Sequence, residues 1–455
     1  MKKVFVLLLL GVFTLTLSAC FGAQQRDDVV VDVDIDLPSD VPIQLDLFTG
    51  FGAGGANTAA TQDIIDAFQD LYPNITIIQN PQGNYDQLRD TIIELLRTGG
   101  APALIMGYPD HYAEYAESNA IVPLDPYIES ERYGIDLDDY IINFIQENQQ
   151  FDVQYSMPYM KSTEIIVYNK DIFDAHGITF DASVVTWDDL VEIVENNNII
   201  GTGSNQCEFL LAMGSSSNSF INLVRQWGVG YTNNDGELEF LDDETGTIAM
   251  MTDLAQLYDK KVIVSPPAEW NHNYGSPQFQ QGRACMIQSS SAGTGYNLPT
   301  GPGAFNVGYL PAIQKNRTLA EGPMSVMQQG PNIAIGADAS DVERLAAWLF
   351  IKFATNPENS AFLASEANYL PVQYASYETD IWVDYLNTTD RDIIPFAESS
   401  VVAMSQEDWF NYDPAFAGRI SSSRVRQYVG DAFERLYVNR DPQEVIGYLN
   451  RNLGR

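Results

Sequence analysis

Short apolar runs and helical stripes alternate along this chain. Ile43 to Phe48 is an apolar-rich run, followed by a glycine-rich turn, Gly50-Phe51-Gly52-Ala53-Gly54-Gly55. Ile64, Ile65, Phe68 and Leu71 then recur at the three- and four-residue spacing of a helix. Tyr72-Pro73-Asn74 stops that helix, and Ile75, Ile77 and Ile78 start a second strand. A strand–loop–helix–strand unit predicts a parallel pair of strands at this edge of a sheet.

The same alternation continues. After the turn Asn80–Asn84, Tyr85 to Arg97 reads as a helix with Leu88, Ile92, Leu95 and Leu96 on one face, ended by Thr98-Gly99-Gly100. Ala103 to Met106 is a short buried strand, Gly107 to His111 the loop after it, and Tyr112 to Ser118 a further helix before a polar stretch to about Gln150. Tyr155 to Glu164 reads as a crossover leading into the strand Ile165–Lys170, and Gln328 to Pro331 as another crossover before Asn332–Ile335. Between them lie a helix opened by Trp187 with Thr186 as N-cap, the loop Ser215–Ser219 before a helix Phe220–Trp227, and a helix Thr247–Lys260. The polar–aromatic loop Trp270–Tyr274 follows, then strands at Ala284–Gln288 and Asn306–Leu310, the first running into Ser289–Gly293. Val342–Phe353 and Pro357–Ala367 are helices, and Ser421 to Leu453 is largely helical. In open α/β sheets, strand-end loops of this kind line a ligand crevice.

Gly50, Gly52 and Gly55 match the dinucleotide fingerprint G-x-G-x-x-G, with Asp70 about twenty residues on. The plainer reading is a glycine-rich turn that brings backbone amides and a helix N-terminus to a cleft wall. The N-terminus bears on the choice. Met1-Lys2-Lys3, the apolar stretch Val4–Leu17 and Leu17-Ser18-Ala19-Cys20 read as a signal peptide, residues 1–19, ending in a bacterial lipobox. The expectation is a chain outside the cytoplasm, held to the cell membrane by lipid on Cys20. Dinucleotides are scarce there, so Thr49, Gly50 and Phe51 are read as the lip of a solute cleft. Residues 20–42, with Asp27, Asp28, Asp32, Asp34, Asp36 and Asp40, read as an acidic, solvated stalk.

The 455 residues suffice for two or three domains and carry a formal charge of −37. Removing residues 1–19 takes away Lys2 and Lys3 and no acid, leaving −39. That excludes a general nucleic-acid binder, whose affinity rests on cationic contacts with phosphate. Three histidines, His111, His176 and His272, stand far apart in no ligand-like spacing, so neither a metal site nor a cofactor is expected. With Cys20 lipidated, Cys207 and Cys285 remain, either bridged or as two buried thiols. No G-x-S-x-G and no phosphate-binding G-x-x-x-x-G-K-[ST] occurs, and among 61 acids no pair is singled out for glycoside chemistry.

Several stretches together resemble the extracellular solute-binding proteins of ATP-binding-cassette (ABC) importers, in the carbohydrate group with the maltose-binding and glycerol-3-phosphate-binding types. They are Ile64–Ile77, Gly83-Asn84-Tyr85-Asp86, Gly99–Ala103, Met157–Asp171 with Tyr-Asn-Lys-Asp, Thr186-Trp187, Phe279–Ser291, and Asn356–Val372 with Asn-Pro-Glu-Asn and Tyr-Leu-Pro. The resemblance implies an α/β fold of two lobes joined by crossing hinge segments, the type II periplasmic-binding-protein architecture, with the ligand cleft between them. The lobes would comprise residues 43–161 with 330–372, and 162–329 with 373–455. It implies no catalysis, a carbohydrate-like solute, delivery to ABC permease subunits and a monomeric receptor. Lining positions carried over are Tyr85, Asp110, Ser162, Ser289 or Ser290, Gly330, Tyr369 and Arg419, the last across a one-residue gap. His111, Trp270 and Tyr274 join them as polar or aromatic candidates. The family's cysteine pair falls near Cys207 and Cys285. Departures are Phe48-Thr49, where Trp-His often follows the first strand, and Tyr-Pro-Asp-His in place of an acidic loop. A glycerol-3-phosphate or glycerophosphodiester receptor and an exported glycan hydrolase are the alternatives.

Overall fold

Two β-sheets carry the molecule, and the chain passes between them at short crossings. The computed structural model describes residues 30–150, 152–180, 184–233 and 235–454. The leader and Cys20 lie outside these residues. The first sheet has the strand order 75–81, 43–49, 104–107, 332–335 and 157–158. Its first three strands run parallel, with Ile43 opposite Ile75 and Leu47 opposite Leu104, as the strand–turn–helix–strand pattern predicts. Ile43, Leu45, Leu47 and Thr49 point inward, while Phe68 of the helix Ala56–Leu71 packs against Phe350 and Phe353.

The second sheet is centred on Ser162–Asn169, a strand buried on both faces. One edge of it pairs antiparallel with Ala284–Ser290, and the other with Val307–Pro311 and Val326–Gln329. Phe209–Ala212 and Ile263–Val264 extend it in parallel beyond Ala284–Ser290. Cys207 and Cys285 are bridged, joining the approach to one of these neighbouring strands to the other. The helices Ser216–Gln226 and Ser422–Asn439 pack on each other beside this sheet.

Both crossovers read in the sequence are present. Met157–Pro158 belongs to the first sheet and Ser162 opens the second; Gln329 ends a strand of the second and Asn332 opens one of the first. Gly330 makes the approach possible. Its φ is +93°, and a Cβ there would stand 2.1 Å from the Met160 carbonyl oxygen. Between the crossings lies a buried ion pair. Lys161 Nζ donates to Glu147 Oε1, to Gly330 O at 3.1 Å and to Asn332 Oδ1 at 3.2 Å. Glu147 also accepts from Gln328 and Asn332.

Two expectations are corrected, and one stretch left unassigned in the sequence takes on structure. Residues 30–41 do not stand off as a solvated stalk. Val31, Val33, Ile35 and Leu37 pack on the first lobe's core, because their alternation with aspartate gives the segment one apolar edge. Asp36 pairs with Arg132 at 2.6 Å, and Asn74 Nδ2 donates to Pro38 O at 2.8 Å. The helix assigned to Tyr112–Ser118 begins at Pro109, since proline suits a first helical position, so Asp110 and His111 occupy its first turn instead of a loop. The polar stretch before Gln150 is structured, with Tyr127 and Phe144 buried.

Thr186 caps the helix Trp187–Asn196 in a reciprocal box: its backbone N donates to Asp189 Oδ2 at 2.8 Å, and its Oγ1 accepts from Asp189 N at 3.3 Å. Thr186→Ala is expected to cost about 1 kcal/mol in urea unfolding; an unchanged midpoint would contradict the cap. No helix among the described residues is long and apolar enough to cross a membrane.

Candidate functional site

An interlobe cleft of about 1800 Å³ opens between the two sheets. That exceeds the roughly 300–1,000 Å³ of ordinary ligand pockets, as an open cleft between lobes should. From the first lobe come Tyr85, Arg89, Tyr108, Asp110 and His111. From the second come Ser215–Asn218, Tyr274, Ser289, Ser290 and Tyr296, with Tyr412, Asp413 and Arg426 behind them.

The first wall is aromatic. Asn84 caps the helix Tyr85–Thr98, accepting from Gln87 N, and so fixes Tyr85 at its first turn. The Tyr85 ring lies directly on Gly50, where a Cβ would meet it at 2.5 Å; only glycine admits the contact. Tyr85 packs against Tyr108 with the rings tilted 41° and their centroids 4.3 Å apart, and meets Phe51 edge-on at 6.3 Å. Burial pushes both tyrosine hydroxyls well above their usual range. The Tyr85 hydroxyl and His111 Nδ1 are buried without a hydrogen-bond partner among the described residues.

Part of the charge in the cleft is paired. Burial works against the Asp110 carboxylate, but His111, Arg426 and a hydrogen bond from Ser423 hold it below the usual range. Arg426 donates to Asn218 Oδ1 and, at 3.3 Å, to Asp413 Oδ2; Arg225 meets Asp413 Oδ1 at 2.7 Å. Burial opposes the Arg426 charge, and Asp110 and Asp413 more than restore it. Arg89 grips Glu114 at 2.5 and 3.1 Å, and Ser423 reaches the other Glu114 oxygen at 3.2 Å, a contact between the lobes. Glu164 differs. Burial raises its carboxyl to about 7, against hydrogen bonds from Gln288, Asn218 and Asn222. Among the described residues, no group of three or more metal-ligating side chains is gathered.

The structure brings together Tyr85, Asp110, His111, Tyr274, Ser289 and Ser290 from the residues read in the sequence. Ser162 sits one hydrogen bond behind, its Oγ 3.1 Å from the Ser290 hydroxyl, and Gly330 lies at the crossing. Thr49, Gly50 and Phe51 underlie Tyr85 instead of lining the cleft; Thr49 is fully buried. Tyr369 accepts from Asn57 Nδ2 at 3.3 Å, close behind Tyr85 and Tyr108. Trp270 is turned away. It ends a short helix opened by Pro266, packs edge-on against Phe209 at 5.9 Å and lies under Arg283, while Asn271 at φ +50° sends the chain back to the cleft. Arg419 lies exposed beside Gly454, and the second lobe's guanidiniums at the cleft are those of Arg424 and Arg426, on the helix Ser422–Asn439. Sequence reasoning missed Arg426, Asp413, Tyr108 and Glu164. Glu164 did leave a signal, an acid directly ahead of the apolar run Ile165–Val167.

The family model for bacterial extracellular solute-binding proteins matches residues 63–389. The sn-glycerol-3-phosphate-binding periplasmic protein of Brucella suis is 24% identical over 377 residues, 80% of this chain and 81% of that protein. In three dimensions, the Mycobacterium tuberculosis protein solved with glycerophosphocholine superimposes with a TM-score of 0.74 at 21% identity, over 90% of this chain and 97% of that one. A Listeria monocytogenes ABC substrate-binding protein solved with cycloalternan gives 0.72 at 17% identity, over 91% and 99%.

Proposed function

The chain belongs to the bacterial extracellular solute-binding proteins, and on that premise we propose that it captures a neutral, carbohydrate-like solute between its lobes and delivers it to the permease of an ABC importer. One observation carries the choice of solute. The cleft offers tyrosine faces and many neutral hydrogen-bonding groups, while Arg89 and Arg426 are committed to carboxylates. Tyrosine rings suit the apolar faces of a sugar ring, and serine, asparagine and aspartate suit its hydroxyls. Arginines already neutralised offer a phosphate little net charge. The receptor acts as a monomer, tethered by lipid at Cys20, and performs no turnover. The lobes correspond to residues 43–161 with 330–372 and 162–329 with 373–455. Solute contacts made in the closed form only would drive closure at the crossings.

A second reading keeps the fold and changes the ligand. Arg424, exposed at the cleft rim, and the ligand named for the Brucella relative favour a glycerol phosphate or its diester.

A thermal-shift panel of neutral mono- and oligosaccharides, sn-glycerol 3-phosphate and glycerophosphocholine separates the two. A ligand at a hundred times its Kd stabilises the folded state by about 2.7 kcal/mol. A response to saccharides is expected; a response confined to the phosphate compounds selects the second reading, and silence throughout contradicts both. Asp110→Asn is expected to weaken saccharide binding roughly tenfold, the loss of one charge-assisted hydrogen bond, and to lower stability in urea as well, because Arg426, His111 and Ser423 favour the ionised carboxylate in the folded protein. Unaltered affinity would remove Asp110 from the site.

A further inference from the structure

Several carboxylates set around the cleft and crossings meet a cation. Asp413 contacts Arg225 and Arg426, Glu114 contacts Arg89, and Glu147 contacts Lys161. Glu164 makes no ion pair among the described residues, although only 2% of its surface is exposed. Its Oε2 accepts from Asn222 Nδ2 and Gln288 Nε2, both at 2.6 Å, its Oε1 accepts a long 3.4 Å bond from Gln329 Nε2, and Asn218 is a further amide donor beside the carboxylate. A carboxylate buried without a counter-charge is costly, and here neutral amides from separate elements hold it at the cleft wall. The 3.4 Å bond is a weak one, so Oε1 keeps acceptor capacity, and Glu164 is among the residues that line the cleft.

We propose that Glu164 sets the solute class: Oε1 accepts a hydroxyl of a neutral polyol, and the carboxylate charge turns phosphate esters away. This rests on the saccharide reading above. A hydroxyl donated to a carboxylate forms a short, charge-assisted bond, whereas a phosphate oxygen at the same place meets like charge in a poorly hydrated site.

The charged groups around Glu164 are few. Arg426 faces it from the helix Ser422–Asn439, with Asp413 behind, and Asp110 lies across the cleft. The helix Ser216–Gln226 brings Arg225, already on Asp413, together with neutral Asn218 and Asn222. The strands 284–290 and 326–329 present Gln288, Gln328 and Gln329, and Gln406 holds the Glu164 backbone carbonyl. The Glu147–Lys161 pair stands on the far side of Gln328. With no strong counter-ion in contact, the carboxyl takes up its proton near neutral pH. Saccharide affinity should therefore weaken as pH falls from 8 to 6, and phosphate exclusion should relax.

The test is Glu164→Gln, which keeps the shape and removes the charge. Binding of the most responsive saccharide in the panel, and of sn-glycerol 3-phosphate, is measured by calorimetry at pH 6 and pH 8 for wild type and variant. The expected results are roughly tenfold weaker saccharide binding at pH 8, a gain in sn-glycerol 3-phosphate binding of similar size, and flat pH profiles in the variant. Saccharide affinity within about threefold of wild type, or no gain for the phosphate ester, overturns the assignment. If the variant does not fold, the wild-type profile decides: saccharide affinity that does not change between pH 6 and 8 overturns it. A wild type that binds no saccharide at either pH fails the saccharide reading itself, and Glu164's role with it.

Discussion

Lys161→Met is expected to destabilise the protein by about 3–5 kcal/mol, the cost of stranding a buried charge. The variant would leave Glu147 at 4% exposure with amide donors alone, and would take a donor from Gly330 O and Asn332 Oδ1. Glu147→Gln strands the opposite partner. Burial already draws Lys161 below the usual lysine range, against the pull of Glu147, so the lysine can lose its proton and part of the cost with it. The double variant, with both charges gone, is expected to be less destabilised than the two single costs summed, by about 1–3 kcal/mol. Urea unfolding of the four proteins measures the cycle; additive costs would mean that the pair is not coupled. The location gives this pair a functional consequence. It pins both crossings at the place where the lobes must hinge, so a loosened pair should change closure as well as stability.

Removing the disulfide is the second large effect. Cys207 and Cys285 close a loop with a sequence separation of 78 residues. In the chain-entropy account, opening a loop of that size costs about 4–5 kcal/mol, through the greater freedom of the unfolded chain. Cys207→Ala with Cys285→Ala should lower the unfolding free energy by that amount. Below its melting transition the double variant should bind solute as the wild type does, because the bridge lies within one lobe's sheet and does not line the cleft. A loss below 1 kcal/mol would show that the unfolded chain is already restrained there.

The scaffold was more legible than the site, for a physical reason. Strands and helices announce themselves by periods of two and 3.6 residues, and the opening strand–turn–helix–strand, the cap at Thr186 and both crossings could be read that way. Boundaries slipped where one residue serves two grammars. Pro109 looks like a turn breaker and opens a helix instead. The helices Asp380–Leu386 and Ile394–Met404 went unread because apolar residues, among them the exposed Ile381, Val383 and Val401, do not keep to one face.

The cleft was harder because its residues come from distant segments. Asp110 and Arg426 meet only after the chain has folded, and nothing local distinguishes Arg426 from the exposed Arg419 seven residues earlier. Trp270 and Tyr274 lie in one short stretch, yet one ring packs on Phe209 and the other faces the cleft. The glycine turn illustrates both limits. It follows the first strand as read, but its part at the cleft is to seat Tyr85 on Gly50.

The most direct test of the central claim is a crystal structure of the protein grown with the saccharide that gives the largest thermal shift. The account predicts the sugar between Tyr85 and Tyr108 on one side and Gln288, Ser289 and Ser290 on the other, with the lobes drawn together about the crossings at Lys161 and Gly330. Saccharide bound outside this cleft, or bound within it to one lobe alone without closure, would contradict it.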